Sequence, residues 1–163
     1  MDIRTAHPAD LPGFLALAAE VEHWFGPMVD DPGFHDAVLR HIATATALAA
    51  TAPADPDAGQ RLLGGLLFGP GGAVRRTHHV HWLVVSARAR GTGVGRALLT
   101  EALTRHVRAP ATVEVVTFGP DHPGAVTSGA RVFYERLDFA PAEPTTPGPE
   151  GGSRQVFRLH VPA

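Results

Sequence analysis

Residues 90–96 read Arg90-Gly91-Thr92-Gly93-Val94-Gly95-Arg96 and stand between an apolar stretch, Thr77–Val85, and a helical stripe over Val94–Val107. A helix N-terminus presents unpaired N–H groups and the positive end of its dipole, so it receives anions. Glycine at alternate positions lets the backbone approach a phosphate without Cβ interference. A Walker A loop ends in Gly-Lys-Ser/Thr, whereas Gly95 is followed by Arg96-Ala97. The dinucleotide fingerprint Gly-x-Gly-x-x-Gly needs its third glycine one residue later, in an early βαβ unit. Three alternating glycines between two arginines still favour an anion-binding loop over a plain connection.

Outward from this loop, Thr77–Val85 alternates, with His79, His81, Leu83 and Val85 expected on one face and Val80, Trp82 and Val84 on the other. Large apolar groups on both faces predict an interior strand. The following stripe, Val94, Ala97, Leu98, Leu99, Ala102, Leu103 and His106, predicts a helix. Upstream, Met1–Thr5 reads as a strand. Asp10 is placed as the N-cap of a helix Leu11–Glu22 with Pro12 in its first turn, and Asp31-Pro32 opens a second helix ending near Thr44. Thr46–Thr51 and Arg61–Phe68 form a hairpin around the polar loop Ala52–Gln60, and Gly64-Gly65 marks a bulge or a close backbone approach. Downstream come a strand Thr112–Phe118, a helix Ala125–Leu137, and closing strands Phe139–Ala142 and Gln155–Val161 around a Pro/Gly-rich loop Glu143–Gly152. The predicted order is β-α-α-β-β-β-α-β-α-β-β, in one domain over 1–163.

Composition narrows the chemistry. The chain has 163 residues, 44% hydrophobic, with a net charge of −2, which argues against bulk electrostatic binding of nucleic acid. Arg75-Arg76 is too short a basic run to change that. No cysteine is present, so disulfides, thiolate nucleophiles and Cys-ligated zinc are excluded. All 14 basic residues are Arg, and neither Lys nor Asn occurs, so no Schiff-base lysine can exist. The apolar stretches are too short to span a bilayer and Met1-Asp2-Ile3-Arg4 is no secretory leader, so a cytoplasmic domain with no membrane partner is expected.

The run Leu83-Val84-Val85-Ser86-Ala87-Arg88-Ala89-Arg90-Gly91-Thr92-Gly93-Val94-Gly95-Arg96-Ala97-Leu98-Leu99 resembles the signature of the GNAT superfamily of acyl-CoA-dependent N-acyltransferases. A second stretch, Ala130-Arg131-Val132-Phe133-Tyr134-Glu135-Arg136-Leu137-Asp138-Phe139, is similar to the family's Ala-x-x-x-Tyr-x-x-x-Gly-Phe helix end. The order of elements extends the resemblance over nearly the whole chain. It implies an α/β (α+β) fold, a mixed and mostly antiparallel sheet flanked by helices. It also implies acetyl-CoA as acyl donor, its pyrophosphate on the backbone of Arg90, Gly91, Thr92, Gly93, Val94, Gly95 and Arg96. The pantetheine arm would run beside Leu83, Val84 and Val85. Two departures stand out. Asp138 replaces the usual glycine, and Thr127 falls where the family often has an Asn that contacts the pantetheine, with Ser128 beside it as a partial substitute. The resemblance also implies a homodimer, since family members are often dimers.

Acyl transfer to an amine needs a deprotonated amine, a polarised carbonyl and a stabilised leaving thiolate. Tyr134, the one tyrosine, matches the position of the family's general acid; its bland reading is a packed helix residue. For the base, His79 and His81 are candidates, since an unperturbed imidazole is a competent base near neutrality. They can equally be core or surface histidines, and as two ligands on one face they make a poor metal site, so no metal is expected. Glu20, Glu22 and His23 at the end of the first helix are rivals, each also readable as a solvated helix end. In the family this region commonly walls the acceptor site, and Trp24, Phe25 and Met28 either line that pocket or cap the core. Glu20, Glu22, Asp30 and Asp31 favour a cationic amine, whether a small molecule or a peptide or protein amine. Without cysteine, direct attack replaces a ping-pong route. The competing readings are an acyl-CoA-binding or sensing module without catalysis and an anion-binding domain for another nucleotide.

Overall fold

The structure, a computed structural model, describes residues 1–53, 61–72, 74 and 76–163. Most of the expected loop Ala52–Gln60, the end of the turn after Gly69, and Arg75 of the basic pair lie outside the described residues. The strands are β1 (Asp2–Thr5), β2 (Ala47–Thr51), β3 (Gly64–Gly69), β4 (Thr77–Val85), β5 (Ala111–Phe118), β6 (Ala140–Thr145) and β7 (Arg154–Val161). The helices are α1 (Leu11–Ala19), α2 (Glu22–Phe25), α3 (Pro32–Ala43), α4 (Val94–His106), α5 (Gly124–Thr127) and α6 (Ala130–Glu135). One seven-stranded sheet runs β1-β2-β3-β4-β5-β7-β6, antiparallel except for the central β4–β5 pair. The mixed, mostly antiparallel sheet expected from the resemblance is therefore what the chain builds.

Alternating side chains give the sheet two cores. Leu48, Ala50, Leu66, Phe68 and Val113 pack against Leu98, Leu99 and Ala102 of α4 and Tyr134 of α6. Ala47, Ala49, Leu67 and Val84 pack instead against Phe14 and Leu17 of α1 and Val38 of α3. The Gly64-Gly65 pair serves both cores as a close approach. A Cβ at Gly64 would lie 2.9 Å from Val94, and one at Gly65 would lie 2.7 Å from the Phe14 ring. The bulge falls further along, between Leu67 and Phe68, where Phe68 pairs with Val80 and Leu67 with Trp82, skipping His81.

That skipped residue corrects the expected alternation of β4. Beyond the bulge Leu83 and Val85 join the α4 core, whereas Trp82 and Val84 join the α1–α3 core. His81 lies over Gly69 and beside His41 of α3, with ring centroids 5.6 Å apart, and stacks on His79 at 5.8 Å. His79 and His81 thus face away from Leu83 and Val85, because an extra residue inverts the phase of a period-2 pattern.

Two helices are shorter than periodicity suggested. The first stops at Ala19 and resumes as α2 after Val21 takes φ −121° and ψ 4°. The helix expected over Ala125–Leu137 splits at Ser128–Gly129, where Gly129 adopts φ +69°. Asp31 does cap α3, accepting the Gly33 N–H at 2.9 Å. Asp10 does not cap α1. Its fully buried carboxylate accepts two bonds of 2.7 Å from the Arg4 guanidinium and one of 2.8 Å from the His7 N–H. Burial alone would raise its pKa, but these bonds hold it below the ordinary 3.8.

Asp138 takes the left-handed conformation that a glycine would, with φ +70°. Phe139 N–H bonds the Tyr134 carbonyl at 3.0 Å, and Asp138 N–H bonds that of Glu135 at 3.1 Å. This is a Schellman closure with aspartate at C′. The helix therefore ends as tightly as with glycine, at the cost of an L residue in the left-handed region.

Candidate active site

The parallel β4–β5 ladder ends at Val80–Val115. Beyond it β4 continues to Val85 with β3 and β5 to Phe118 with β7, so the two strands part at the sheet centre. A cavity of about 660 Å³ occupies the split and runs on to the start of α4 and the inner face of α6.

Leu83, Val84 and Val85 form one wall, and Arg90, Gly91, Gly93, Val94, Gly95 and Arg96 form the end beside α4. Gly91 and Gly93 have φ +75° and +91°, with open space where a Cβ would point. Backbone conformation, not crowding, demands glycine there. Gly95 is demanded by packing, since a Cβ would come within 2.9 Å of the Phe133 ring. Arg90 donates from Nε to the Val85 carbonyl at 3.2 Å, and its guanidinium lies over Trp24, 5.1 Å from the ring centre. Thr92 does not line the cavity; its hydroxyl donates to the Ala89 carbonyl at 2.5 Å and braces the turn.

Tyr134 reaches the cavity from α6 and is 6% exposed, packed edge-on against Phe133 and Phe139. Burial pushes its phenol above the ordinary 10.0, so it carries its proton throughout the physiological range. Ser128 also lines the cavity, its hydroxyl donating to the Gly124 carbonyl and accepting the Ala130 N–H at 3.2 Å. Thr127 does not; it is exposed and donates to the Pro123 carbonyl at 3.2 Å.

On the opposite side Trp24 and Phe25 of α2 line the cavity, and Phe25 stacks on Phe118 of β5 with centroids 4.6 Å apart. Glu20 and Glu22 do not line it. Glu20 accepts the Ala87 N–H at 2.9 Å, and Glu22 accepts those of Met28 and Val29 at 2.6 and 3.1 Å. The latter bonds hold the Glu22 carboxyl below its ordinary 4.5. His79 and His81 also lie outside the lining, on the α1–α3 side just where β4 leaves β5. His79 Nε2 is 3.7 Å from Glu114 across the ladder. Burial, with His79 and Arg40 nearby, pushes His81 below 6.5, so its imidazole is neutral at pH 7. Among the described residues no group of three His, Asp or Glu is arranged to hold a metal. Nor is any helix of these residues long and apolar enough to cross a membrane.

Sequence reasoning missed Phe118, Phe133, Leu137 and Arg136, all of which line the cavity. Phe133 and Leu137 stand at i and i+4 on the stripe expected over Ala125–Leu137 and were legible as packing residues. Nothing local marks Phe118, because only the parting of β4 and β5 exposes it to the cavity.

A mixed sheet split at its one parallel pair, with a glycine turn at one end of the gap and a buried phenol inside it, defines an acyltransferase architecture. A family model for the acetyltransferase (GNAT) domain matches residues 54–141, just over half of the chain, and the chain belongs to that family. Solved structures share the fold. A ribosomal-protein-alanine N-acetyltransferase from Brucella melitensis superposes with a TM-score of 0.70 at 20% identity, covering 99% of this chain and 100% of that one. The PaiA N-acetyltransferase from Thermoplasma acidophilum, solved with coenzyme A, gives 0.69 at 16% identity, with 98% of each chain covered. A chain of the NatC complex bound to Gag peptide and CoA gives 0.70 at 15% identity, with 99% of each covered. No curated protein matches the chain in sequence.

Proposed function

We propose that the protein transfers the acetyl group of acetyl-CoA to a primary amine by direct attack. The carrying observation is the continuity of one cavity from the glycine turn, along Leu83–Val85, to the protonated Tyr134. The residues fit the donor. Open backbone at Gly91 and Gly93 with Arg96 beside it suits a pyrophosphate, and the apolar wall suits a pantetheine arm. Acetyl-CoA supplies an activated thioester carbonyl; the C–N bond to the acceptor forms as the C–S bond breaks.

Tyr134 gives its proton to the departing sulfur, a role that requires a phenol rather than a phenolate. The acceptor enters from the α2 side, past Trp24 and Phe25. The amine's proton leaves on the α1–α3 side, where neutral His81 and its neighbour His79 accept it through water. Glu20, Glu22 and Asp31 commit their carboxylates to backbone N–H groups, so direct pairing with a cationic amine falls to the exposed Asp30. Small amines and peptide N-termini both fit this reading, and the peptide carried by the NatC structure supports including the latter.

The test is thiol release from acetyl-CoA by the purified protein against a panel of polyamines, amino acids and free-N-terminus peptides. Amine-dependent release, with the acetylated amine identified by mass, is expected. Tight coenzyme A binding without release by any amine would replace this reading with a non-catalytic acyl-CoA-binding module.

A further inference from the structure

The segment Glu20–Phe25 touches both sides of the split. Glu20 Oε1 accepts the Ala87 N–H at 2.9 Å and the Ser86 hydroxyl at 3.4 Å. Those residues open the short 3-10 turn, Ala87–Ala89, that leads into the glycine loop. The turn is held from its other side by Arg88, which donates to the carbonyls of Arg61 at 2.8 Å and Leu62 at 3.3 Å. Four residues after Glu20, Trp24 lies beneath Arg90 of the loop, and Phe25 next to it stacks on Phe118 of β5. Glu22 fixes the far end of the segment through the Met28 and Val29 N–H groups.

A carboxylate near a turn that receives phosphates repels the incoming anion, so its placement calls for a geometric benefit. We propose that Glu20 is a positioning residue that ties the donor loop to the acceptor wall, so that donor binding orders residues 22–29. The proposal rests on the acetyl-CoA site proposed above. Glu20 sets the entry of the glycine loop through Ala87; the same backbone carries Trp24 and Phe25. Whatever steadies the loop therefore steadies the wall, and by linkage the reverse holds.

The experiment measures coenzyme A affinity by calorimetry, and amide hydrogen exchange over residues 22–29 with and without coenzyme A. Wild type is compared with Glu20→Gln, Glu20→Ala and Glu20→Asp. Glutamine keeps an acceptor oxygen at the same reach and should bind within about twofold of wild type. Alanine removes the acceptor and aspartate withdraws it, so both should bind about three- to tenfold more weakly, the value of one ordinary hydrogen bond on a partly exposed turn. In both, the slowing of exchange over 22–29 on coenzyme A addition should be lost. Wild type that fails to bind coenzyme A overturns the site itself. Wild type that binds, with Glu20→Ala and Glu20→Asp matching it in affinity and protection, overturns the role of Glu20 alone.

Discussion

On the proposed donor side of the split the chain offers main chain: glycines turned to positive φ at 91 and 93, and the end of β4, Leu83–Val85, which has left β5 and borders an open gap. On the proposed acceptor side it offers side chains: Trp24 and Phe25 from the N-terminal helices, set against Phe118 from β5. Under the proposed function the two halves achieve recognition differently. A phosphate and an amide-bearing arm are invariant ligands, well served by backbone donors whose positions depend on a few dihedral angles. The aromatic wall instead depends on side chains from separate segments, two on α2 and one on β5, brought together by packing.

The largest expected effect lies where the two halves meet. Tyr134→Phe keeps the ring packed on Phe133 and Phe139 and deletes only the proton donor, so single-turnover acetyl transfer should slow by about 10²–10⁴-fold. The KM for acetyl-CoA should barely change, since ground-state binding rests on the loop and β4. An unchanged single-turnover rate would leave Tyr134 as packing only. Gly93→Pro tests the main-chain half. It forces φ from +91° to about −65° and removes an N–H facing the anion, so calorimetry should show coenzyme A affinity falling by at least about tenfold, the value of one bond to a charged group. Wild-type affinity in a folded variant would break the claim that backbone conformation makes the donor site.

The acceptor half carries a pH signature that the glycine turn lacks. His41 and His81 are both pushed below 6.5, first by burial and then by neighbouring positive charge. A histidine whose folded pKa is depressed resists protonation that the unfolded chain accepts, so its contribution to stability falls as pH drops below the unfolded value of 6.5. His78 and His106, depressed in the same way on the other face of the sheet, add to the decline. Tm should therefore fall between about pH 7 and pH 5, above the range where carboxylates begin to protonate. His81→Gln should flatten part of that decline; an equally steep decline in the variant would show that His81 does not contribute. The smallest effect belongs to the support of Tyr134. Asp138→Gly relieves an L residue at φ +70° and should raise stability by about 0.5–1 kcal/mol, or Tm by about 1–4 °C, with activity unchanged.

What the chain showed before folding, and what it hid, follows the same division. Arg90–Arg96 was legible because a glycine turn before a helix is a local device: its glycines, helix start and preceding strand are contiguous, and the structure puts all but Thr92 of that run in the cavity lining. Tyr134 was legible for a similar reason, standing in a short motif at the end of one helix. The helix breaks at Glu20–Val21 and Ser128–Gly129 were not, because each depends on bonds or turns that compete with an otherwise continuous helical stripe.

Sequence alone determined the succession of the seven strands, the glycine turn and the exclusion of cysteine and lysine chemistry, since composition and short-range periodicity are properties of adjacent residues. Tertiary structure alone decided the rest. The one-residue bulge at His81 reversed the faces of β4 and took His79 and His81 away from Leu83 and Val85. Glu20 and Glu22, both expected on an acceptor wall, turned to backbone N–H groups that only the folded chain brings within reach. Phe118 entered the site because two parallel strands part after Val80 and Val115. Register, side-chain capture of remote backbone and strand divergence are settled by contacts between distant segments, and no window of neighbouring residues contains them.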